Sequence, residues 1–305
     1  MSYNSIMAGI SRTQGKQPYA ILVLGASFLS LAPVFVKMLQ NQVIGLTAIA
    51  FWRMFLGGLI LFGLSALRGR NLKLPRTAYP WAALAGLLFC LDLTFWHRSI
   101  VYAGAGLSTI LANTQVFNTA VLSYLFLKEK LSYKFFIAAF SALFGVALLV
   151  GVTSDVEFTE TYMLGVFLGL LTGVVYAGYL VTLKRAGQDE IKPDFMTFMA
   201  WVSIFSAIFL AVAASFETGA LLPSGLYTWS VLLLLAMIVQ TLGWWAVFSS
   251  LQKVEVSRAG LVLLMQPLLA TVWGAWFFAE HLATGQIAGA AITLAAIYYG
   301  SIYRR

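Results

Sequence analysis

Two oppositely charged residues lie inside segments that are otherwise apolar. Arg53 stands in "FWRMFLGGL" (Phe51–Leu59), and Asp92 stands in "FCLDLTFWHRS" (Phe89–Ser99). A guanidinium and a carboxylate can pair with each other, and they can also bind the carboxylate and ammonium groups of a zwitterionic solute. A carboxylate can in addition carry a proton. Which chemistry applies depends on the medium around the two segments.

Composition identifies that medium as a lipid bilayer. The chain has 305 residues, of which 61% are hydrophobic and 10% are charged, and its mean hydropathy is +0.88. A soluble domain carries roughly 25% charged residues. Stretches without any charge recur along the chain at the length of about 20 residues that a membrane-spanning helix needs. Because they are continuously apolar rather than alternating, we predict an all-α polytopic membrane protein and no barrel.

Ten transmembrane helices are predicted, after a cytoplasmic tail at residues 1–18. The predicted spans are 19–39, 45–67, 78–99, 104–126, 133–153, 162–184, 195–216, 226–251, 257–279 and 284–303. All 19 Lys and Arg residues except Lys37, Arg53 and Arg98 fall at the termini or in alternate connections, whereas the opposite connections are acidic or neutral. The positive-inside rule therefore places both termini in the cytoplasm, and it explains the net charge of +8 without nucleic acid.

The second half of the chain repeats the first. "LFLKEKLSYKFFIAAFSALFGVALL" (Leu125–Leu149) aligns without gaps with "WFFAEHLATGQIAGAAITLAAIYYG" (Trp276–Gly300), so that Glu129 corresponds to Glu280. Each half, 19–153 and 154–305, holds five predicted spans. Because five is odd, the second half must enter the membrane in the opposite sense. Two inverted five-helix repeats are typical of transporters that work by alternating access.

A family resemblance rests on these repeated motifs. "QPLLATVWGAWFFAEHLA" (Gln266–Ala283), followed by Gly289, resembles the EamA module of the drug/metabolite transporter superfamily. "QVFNTAVLSYLFLKEKLS" (Gln115–Ser132), followed by Gly145, resembles it too, and so does the Arg-containing segment of span two. The aromatic-rich halves are most similar to the bacterial aromatic amino acid exporters of that superfamily. The resemblance implies that spans one to four and six to nine line a central cavity, with spans five and ten behind it.

Arg53 and Asp92 lie at comparable depth in the outer halves of spans two and three. A charge in hydrocarbon costs about 3 kcal/mol or more, so it faces a partner or a watery cavity. Two interpretations stay open. The residues pair and fix the packing of spans two and three, or they border the cavity and bind a zwitterion, with Asp92 also able to carry a proton. The two overlap, because a pair can be exchanged for substrate.

Other candidates share helical faces that mix rings and amides. Such a face suits an amphipathic substrate, because polar groups fix its orientation and rings supply contact area, although faces of this kind also pack helix against helix. The predicted cavity residues are Arg53, Phe89, Asp92, Phe95, Trp96, Asn113, Phe117, Asn118, Tyr176, Tyr179, Gln240, Trp244 and Gln266.

Prolines and glutamates at special positions receive structural roles. Pro33 and Pro267 lack an N–H group and are expected to kink spans one and nine, either statically or as hinges for gating. The first half has Val116 in place of the second proline, which argues against a symmetric kink in span four. Glu129 and Glu280 each lie at a span end just before the next helix, where we expect them to cap backbone N–H groups.

Several other kinds of site are not expected. His97 and Arg98 are predicted to be interfacial anchors at the outer mouth of span three. The only histidines are His97 and His281, and no carboxylates cluster at ligand spacing, so we predict no metal site. The P-loop pattern G-x-x-x-x-G-K-[ST] does not occur, and no cofactor is predicted.

These features predict a secondary transporter, with a small-molecule substrate and a lipid bilayer as its partners. The resemblance implies export of neutral or aromatic amino acids across the bacterial inner membrane. Efflux of other metabolites or of cationic drugs is the alternative, and it would require Asp92 without requiring Arg53. An intramembrane enzyme is a remote alternative, because the sequence shows no constellation of catalytic groups at membrane depth; we predict no enzyme.

Overall fold

Helices form all the regular structure in the described part of the chain. The computed structural model describes residues 17–150, 159–187, 194–217, 219–279 and 283–302. Within these residues, nine helices are long and apolar enough to cross a membrane: α1 (Gln17–Leu39), α2 (Leu46–Leu67), α3 (Tyr79–Ala103), α4 (Leu107–Leu127), α5 (Tyr133–Val150), α6 (Glu160–Ala186), α7 (Phe195–Ala214), α8 (Gly225–Leu251) and α9 (Val256–Phe278). A further helix, α10 (Thr284–Ile302), follows. The chain is a multi-pass membrane protein.

Most predicted boundaries lie within four residues of these helices. The predicted tail lies outside the described residues except for Gln17 and Pro18, which belong to α1. The end of the predicted fifth span, Glu280 and His281 also lie outside them. The largest difference concerns α3, which continues to Ala103, whereas the predicted span ends at residue 99.

One set of helix ends lies together at the end of the molecule that carries most of the Lys and Arg residues, as contacts between the connections show. The Thr197 hydroxyl at the start of α7 donates to the carbonyl of Asn71 in the α2–α3 connection, at 3.0 Å. Glu129, just after α4, contacts the start of α9 at Val256. The connections that carry most of the Lys and Arg residues thus lie at one end, as the positive-inside rule requires.

Other connections meet at the opposite end. The Gly45 N–H group donates to the Ala220 carbonyl at 3.0 Å, which joins the α1–α2 connection to the α7–α8 connection. The Gln286 amide donates to the Leu149 carbonyl at 3.0 Å, which joins the start of α10 to the end of α5. Successive helices therefore alternate in direction through the described part of the chain.

Helices from the two halves pack against each other throughout. α3 packs on α6 and α7, α2 on α7 and α8, and α4 on α6 and α9, while α1 contacts α8 and α9. α5 and α10 pack chiefly against each other. The site therefore has to be assembled from both halves.

In three helices, one or two residues interrupt the α-helical pattern. α1 breaks at Ser30–Leu31, just before Pro33 in the first turn of its second segment (Ala32–Leu39). α9 breaks at Leu264, shortly before Pro267. Proline suits the first turn of a helix because its missing N–H group has no partner there.

The third interruption, in α4, occurs without a proline, so the expectation that Val116 would remove the kink is wrong. α4 breaks at Thr114, whose φ and ψ of −59° and −11° match the −63° and −8° of Leu264. The Thr114 hydroxyl donates to the Leu111 carbonyl at 2.6 Å, and the Thr114 N–H group donates to it at 3.1 Å. A threonine that bonds back to its own helix bends it and takes the place of the proline.

α8 contains a π-helical segment that the sequence analysis did not predict. Residues Leu235–Gly243 wind more widely than an α-helix, and the Thr241 hydroxyl donates to the Ala236 carbonyl five residues earlier, at 3.0 Å. π-Helical turns are rare in proteins, and those that occur are often found at functional sites. This segment ends immediately before Trp244.

The crossing of α5 and α10 gives a test of the fold. A methyl group on Gly145 would lie 2.7 Å from the Gly289 carbonyl oxygen and would overlap the Thr293 hydroxyl. We expect Gly145→Ala to lower the free energy of unfolding by about 1–3 kcal/mol, because the two backbones cannot separate without losing contacts along the crossing. The measurement is the thermal unfolding midpoint of the purified protein in detergent.

Gly63→Ala is the matched control for this substitution. Gly63 lies within α2, and nothing is within 4 Å of a methyl group placed there. Because glycine inside a helix is less favourable than alanine by about 0.5–1 kcal/mol, this substitution should preserve or raise the midpoint. Equal midpoints for the two variants would contradict the close crossing.

Candidate functional site

A cluster of charged and aromatic side chains lies where α2, α3, α6 and α8 meet. Phe89 stacks on Tyr179 with ring centroids 4.8 Å apart, and Trp244 meets these two rings edge-on at 5.2 and 4.8 Å. The guanidinium carbon of Arg53 lies 5.5 Å from the centroid of the Phe89 ring. With Asp92 and Tyr176, these residues are called the central cluster: Arg53, Phe89, Asp92, Tyr176, Tyr179 and Trp244.

Arg53 and Asp92 are close without being joined. Each has only 8% of its surface exposed. They lie near enough for their charges to interact, but no ion pair links them within the described residues. The Nε–H group of Arg53 has no hydrogen-bond partner. The arrangement is therefore not a closed ion pair, and both charges keep bonding capacity for a third group.

Unpartnered polar atoms are concentrated in this region. Buried atoms without a hydrogen bond include the Trp244 Nε1–H and the Tyr179 hydroxyl, besides Arg53 Nε. Leaving a buried polar group unbonded costs about 1–3 kcal/mol. Several such groups beside stacked rings form the kind of surface that a small molecule with polar and apolar parts satisfies.

α9 reaches the central cluster through Gln266, whose amide donates to the Tyr176 hydroxyl at 3.4 Å. The counterpart in the first half, Gln115, behaves differently. Its amide donates to the Gly260 carbonyl at 2.9 Å, and its carbonyl accepts from the Thr119 hydroxyl. Gln115 therefore ties α4 to α9, whereas Gln266 serves the cluster.

The remaining predicted cavity residues lie away from the cluster or make no hydrogen bond or ring contact with it among the described residues. The Gln240 amide donates to the Ser203 hydroxyl at 3.0 Å, and its side chain packs against Gly57, so it joins α8 to α2 and α7. The Asn113 amide donates within its own helix, and Phe117 packs on Phe140 of α5. The others are half-buried and have no hydrogen bond or ring contact to the cluster within the described residues: Phe95, Trp96 and Asn118.

His97 was missed as a member of this region. The prediction of an interfacial anchor is wrong for it, because its side chain is buried, its Nδ1 has no partner, and it lies near the charge of Arg53. The physical reason is the length of α3, which runs on to Gly104 and keeps His97 inside the bundle. The signal in the sequence for this later end was the glycine at position 104, which caps the helix with a positive φ of 87°. Arg98 is partly exposed and pairs with Glu217 at 3.8 Å.

Glu129 caps a helix of the other half rather than the helix that follows it in the chain. Its carboxylate accepts from the N–H groups of Val256 and Ser257, at 2.7 and 3.1 Å, and from the Ser257 hydroxyl at 2.8 Å. The preceding residue, Lys128, has a φ of 56°, and this left-handed turn directs Glu129 toward α9. A carboxylate at this position satisfies free N–H groups and the positive end of the helix dipole.

Lys184 holds the neighbouring helix end. Its buried ammonium group donates to the carbonyls of Leu251 and Val254, the second at 2.9 Å, and it also interacts electrostatically with Glu129. Glu129 and Lys184 thus both bind to the α8–α9 connection and the helix ends that flank it. We call this pair the basic-end clamp. α4, α6, α8 and α9 are fastened together at this end.

Comparison with known proteins decides the family. The model of the EamA-like transporter family matches residues 17–151 and again residues 163–301. The chain belongs to the EamA-like transporter family. It is therefore a multi-pass membrane transporter, and membership of this family supports small-molecule transport as the activity of the chain. Within the described residues, no group of three or more His, Cys, Asp and Glu side chains is placed to hold a metal ion.

Related proteins agree with this assignment. An uncharacterized transporter of Archaeoglobus fulgidus is 26% identical over 91% of this chain and 94% of its own length. The uncharacterized transporter YwfM of Bacillus subtilis is 25% identical over 90% and 91%. A probable amino-acid metabolite efflux pump of Salmonella typhimurium is 24% identical over 64% and 66%. A crystal structure of 14% identity, covering 94% of this chain and 98% of its own, has the same fold at a TM-score of 0.81.

The basic-end clamp gives a prediction about stability. We expect Glu129→Ala to lower the free energy of unfolding by about 2–4 kcal/mol, because it removes three hydrogen bonds to a charged acceptor and leaves the N–H groups of α9 unpaired. Thermal unfolding in detergent measures the effect. Glu160→Ala is the control, since Glu160 is an exposed carboxylate in the first turn of α6 and its loss should matter little. Equal losses in both variants would contradict the cap.

Proposed function

We propose that this transporter exports amino acids, neutral or aromatic ones, across the bacterial inner membrane by alternating access. The observation that carries the proposal is the central cluster, where Arg53 and Asp92 lie close together without forming an ion pair. Arg53 would bind the carboxylate of the substrate and Asp92 its ammonium group. The name of the Salmonella relative, an efflux pump for amino-acid metabolites, supports the substrate class and the direction.

The rings of the cluster fit the remaining part of such a substrate. Phe89, Tyr179 and Trp244 place three aromatic surfaces around the two charges. Ring pairs contribute about 0.5–1.5 kcal/mol beyond the area they bury, so an aromatic side chain of the substrate would gain by adding a contact with these rings. The unpartnered hydroxyl of Tyr179 and the unpartnered N–H group of Trp244 would meet its polar atoms.

Ten helices in two inverted repeats are part of the proposal. The family model matches each half separately. The packing of α3 on α6 corresponds to that of α8 on α1, and the pairs α2–α7, α4–α9 and α5–α10 each join corresponding helices. The left-handed residues that end α4 and α9, Lys128 and Ala279, have φ values of 56° and 52° and occupy equivalent places in the two repeats. Such agreement supports an inverted duplication.

Alternating access requires a gate at each end, and the two ends differ in this structure. At the basic end, the clamp residue Lys184 is buried against the α8–α9 connection. Its counterpart Lys37 is exposed and lies over the ring of Phe278, 4.3 Å from the centroid. We infer that the basic end is closed in this conformation and that transport requires the clamp to open.

Substitution of the two central charges tests the substrate site. We expect Arg53→Gln and Asp92→Asn each to reduce the transport of labelled amino acids into proteoliposomes at least about tenfold, since a hydrogen bond to a charged group contributes about 1.5–3 kcal/mol. Arg98→Gln and Asp194→Asn are the matched controls, because both residues lie outside the cluster in partly exposed ion pairs.

The outcome separates the two classes of substrate. If transport of organic cations depends on Asp92 and survives Arg53→Gln, while no amino acid is carried, the zwitterion site is wrong and efflux of cationic drugs is correct. The same vesicles with and without a proton gradient test a proton-carrying role for Asp92. An unchanged response to the gradient in Asp92→Asn would exclude that role.

Labelling of single cysteines tests the inverted repeats. In a Cys90→Ala background, we expect Lys130→Cys and Gly285→Cys to react with a membrane-impermeant thiol reagent from opposite sides of the membrane. Lys130 lies in the α4–α5 connection and Gly285 in the first turn of α10, at corresponding ends of the two repeats. Labelling of both from one side would rule out the inversion, and alternating access by exchange of the repeats would fail with it.

A further inference from the structure

Two tryptophans in corresponding helices make corresponding hydrogen bonds at the two ends of the molecule. At the end opposite the basic one, the Trp52 Nε1–H group of α2 donates to the Leu221 carbonyl in the α7–α8 connection, at 2.8 Å. At the basic end, the Trp201 Nε1–H group of α7 donates to the Leu72 carbonyl in the α2–α3 connection, at 2.9 Å. The interval in sequence from Trp52 to Trp201 equals that from Leu72 to Leu221. Each indole therefore joins its own half of the chain to a connection of the other half.

Each indole also meets a ring near the start of the next helix. The Trp201 ring lies edge-on to that of Tyr79, the first residue of α3, with centroids 5.1 Å apart. The Trp52 ring lies edge-on to that of Trp229, near the start of α8, with centroids 4.7 Å apart. We call each tryptophan with its carbonyl and ring partners an indole latch, and we name the two the Trp52 latch and the Trp201 latch.

A second pair of contacts repeats beside the latches. The Thr47 hydroxyl donates to the Glu217 carboxylate at 2.7 Å, next to the Trp52 latch. The Arg68 Nη1–H group lies 3.2 Å from the Met196 sulfur, next to the Trp201 latch. The interval from Thr47 to Met196 equals that from Arg68 to Glu217. The same two positions of α2 and α7 therefore touch at both ends, although their side chains differ in type.

Between the latches, α2 and α7 pack closely against each other. A methyl group on Gly58 of α2 would lie 2.9 Å from Cδ1 of Ile204 and 3.3 Å from Cβ of Ser203 on α7. Packing of this kind relies on the small residue, because a larger one would force the helices apart. The two helices are thus joined at their middle as well as at both ends.

The equality of the two latches bears on the conformational change. Inverted repeats allow the second access state to be reached when the two halves exchange conformations. A contact that opens in the cycle then differs between equivalent places in any one state. Lys184 and Lys37 differ in this way, since the first is buried against carbonyl groups and the second is exposed. The latches are closed at both ends, so an exchange converts each latch into the other and leaves both closed.

We propose that α2 and α7 form a fixed pair, which the indole latches hold together at both ends throughout the transport cycle while other helices move around it. This inference rests on the alternating access of the proposed function, and it deepens that function by dividing the bundle into fixed and moving parts. Arg53 follows Trp52 directly in α2. The guanidinium is therefore carried by the fixed pair, and access to it changes through the helices that the basic-end clamp joins.

Reversible crosslinking between α2 and α7 tests the proposal. In a Cys90→Ala background, Thr47→Cys/Glu217→Cys places two thiols beside the Trp52 latch, and Arg68→Cys/Met196→Cys places two beside the Trp201 latch. Each protein is treated with a short bis-methanethiosulfonate reagent, and mass spectrometry measures the yield of the crosslink. We expect both crosslinked proteins to keep most of the transport of labelled phenylalanine into proteoliposomes that they show after reduction with dithiothreitol, because α2 and α7 do not separate.

Gly187→Cys/Gln252→Cys is the control for a contact that has to open. It joins the end of α6 to the end of α8 beside Lys184, where the Gln252 amide donates to the Leu183 carbonyl at 3.3 Å and a side chain on Gly187 would touch Gln252. Its crosslink should reduce transport by about tenfold or more, because a cycle stops when one conformational step is blocked. Reduction should restore the rate.

The outcomes separate this inference from the proposed function. Loss of transport on crosslinking either latch pair, with recovery on reduction, would overturn the fixed pair, and so would failure of both pairs to crosslink. Transport that persists in all three crosslinked proteins would remove the basic-end gate of the proposed function and would support the fixed pair. If the unmodified chain carries no amino acid, labelled tetraphenylphosphonium replaces phenylalanine as the probe, and the substrate assignment fails without the fixed pair.

Discussion

The free energy of placing a charge in hydrocarbon governs where the ionisable residues of this chain lie. A lone charge costs about 3 kcal/mol on insertion scales and more by other estimates, so it has to find compensation within the bundle. Lys184 finds it in carbonyl groups at the end of α8, and Glu129 finds it in N–H groups at the start of α9. Both use helix termini, where backbone groups lack partners inside their own helix. The clamp is thus a structural element and also the means by which two helix ends are tolerated near the membrane.

Arg53 and Asp92 are compensated in a different and less complete way. The ring of Phe89 faces the guanidinium, and the two charges interact at a distance, but neither satisfies the other directly. Beside them, the ring of Tyr179 stacks on Phe89, and Trp244 meets both rings edge-on. The π-helical segment of α8 ends at Gly243, immediately before Trp244. Incomplete pairing leaves the region able to exchange one partner for another, which a transport site requires and a structural ion pair does not provide.

Features that depend on the local chain were predictable from the sequence, and features that depend on distant partners were not. The length of apolar stretches gives the spans, and the depth of Arg53 and Asp92 follows from those spans. The partner of Glu129 lies 127 residues away in the chain, and no local pattern identifies it. Val116 was misleading for a different and local reason, because the bend of α4 comes from the hydroxyl of Thr114 rather than from a missing N–H group. His97 was misplaced because the end of α3 was set four residues too early.

Matching interruptions divide α4 and α9 into two helical segments each. At Thr114 and at Leu264 the backbone makes a tighter turn, with N–H groups that bond three residues back, so each helix has two segments joined by one residue. Helix segments divided in this way can tilt separately without losing a whole ladder of hydrogen bonds. The first segment of α9 is held by Glu129 at the basic end, whereas Trp273 of its second segment bonds Ser30 at the break of α1, at 2.8 Å. The first segment is joined to α4 a second time, through the Gln115 amide that donates to the Gly260 carbonyl, so the two segments of α9 are fastened to different parts of the bundle.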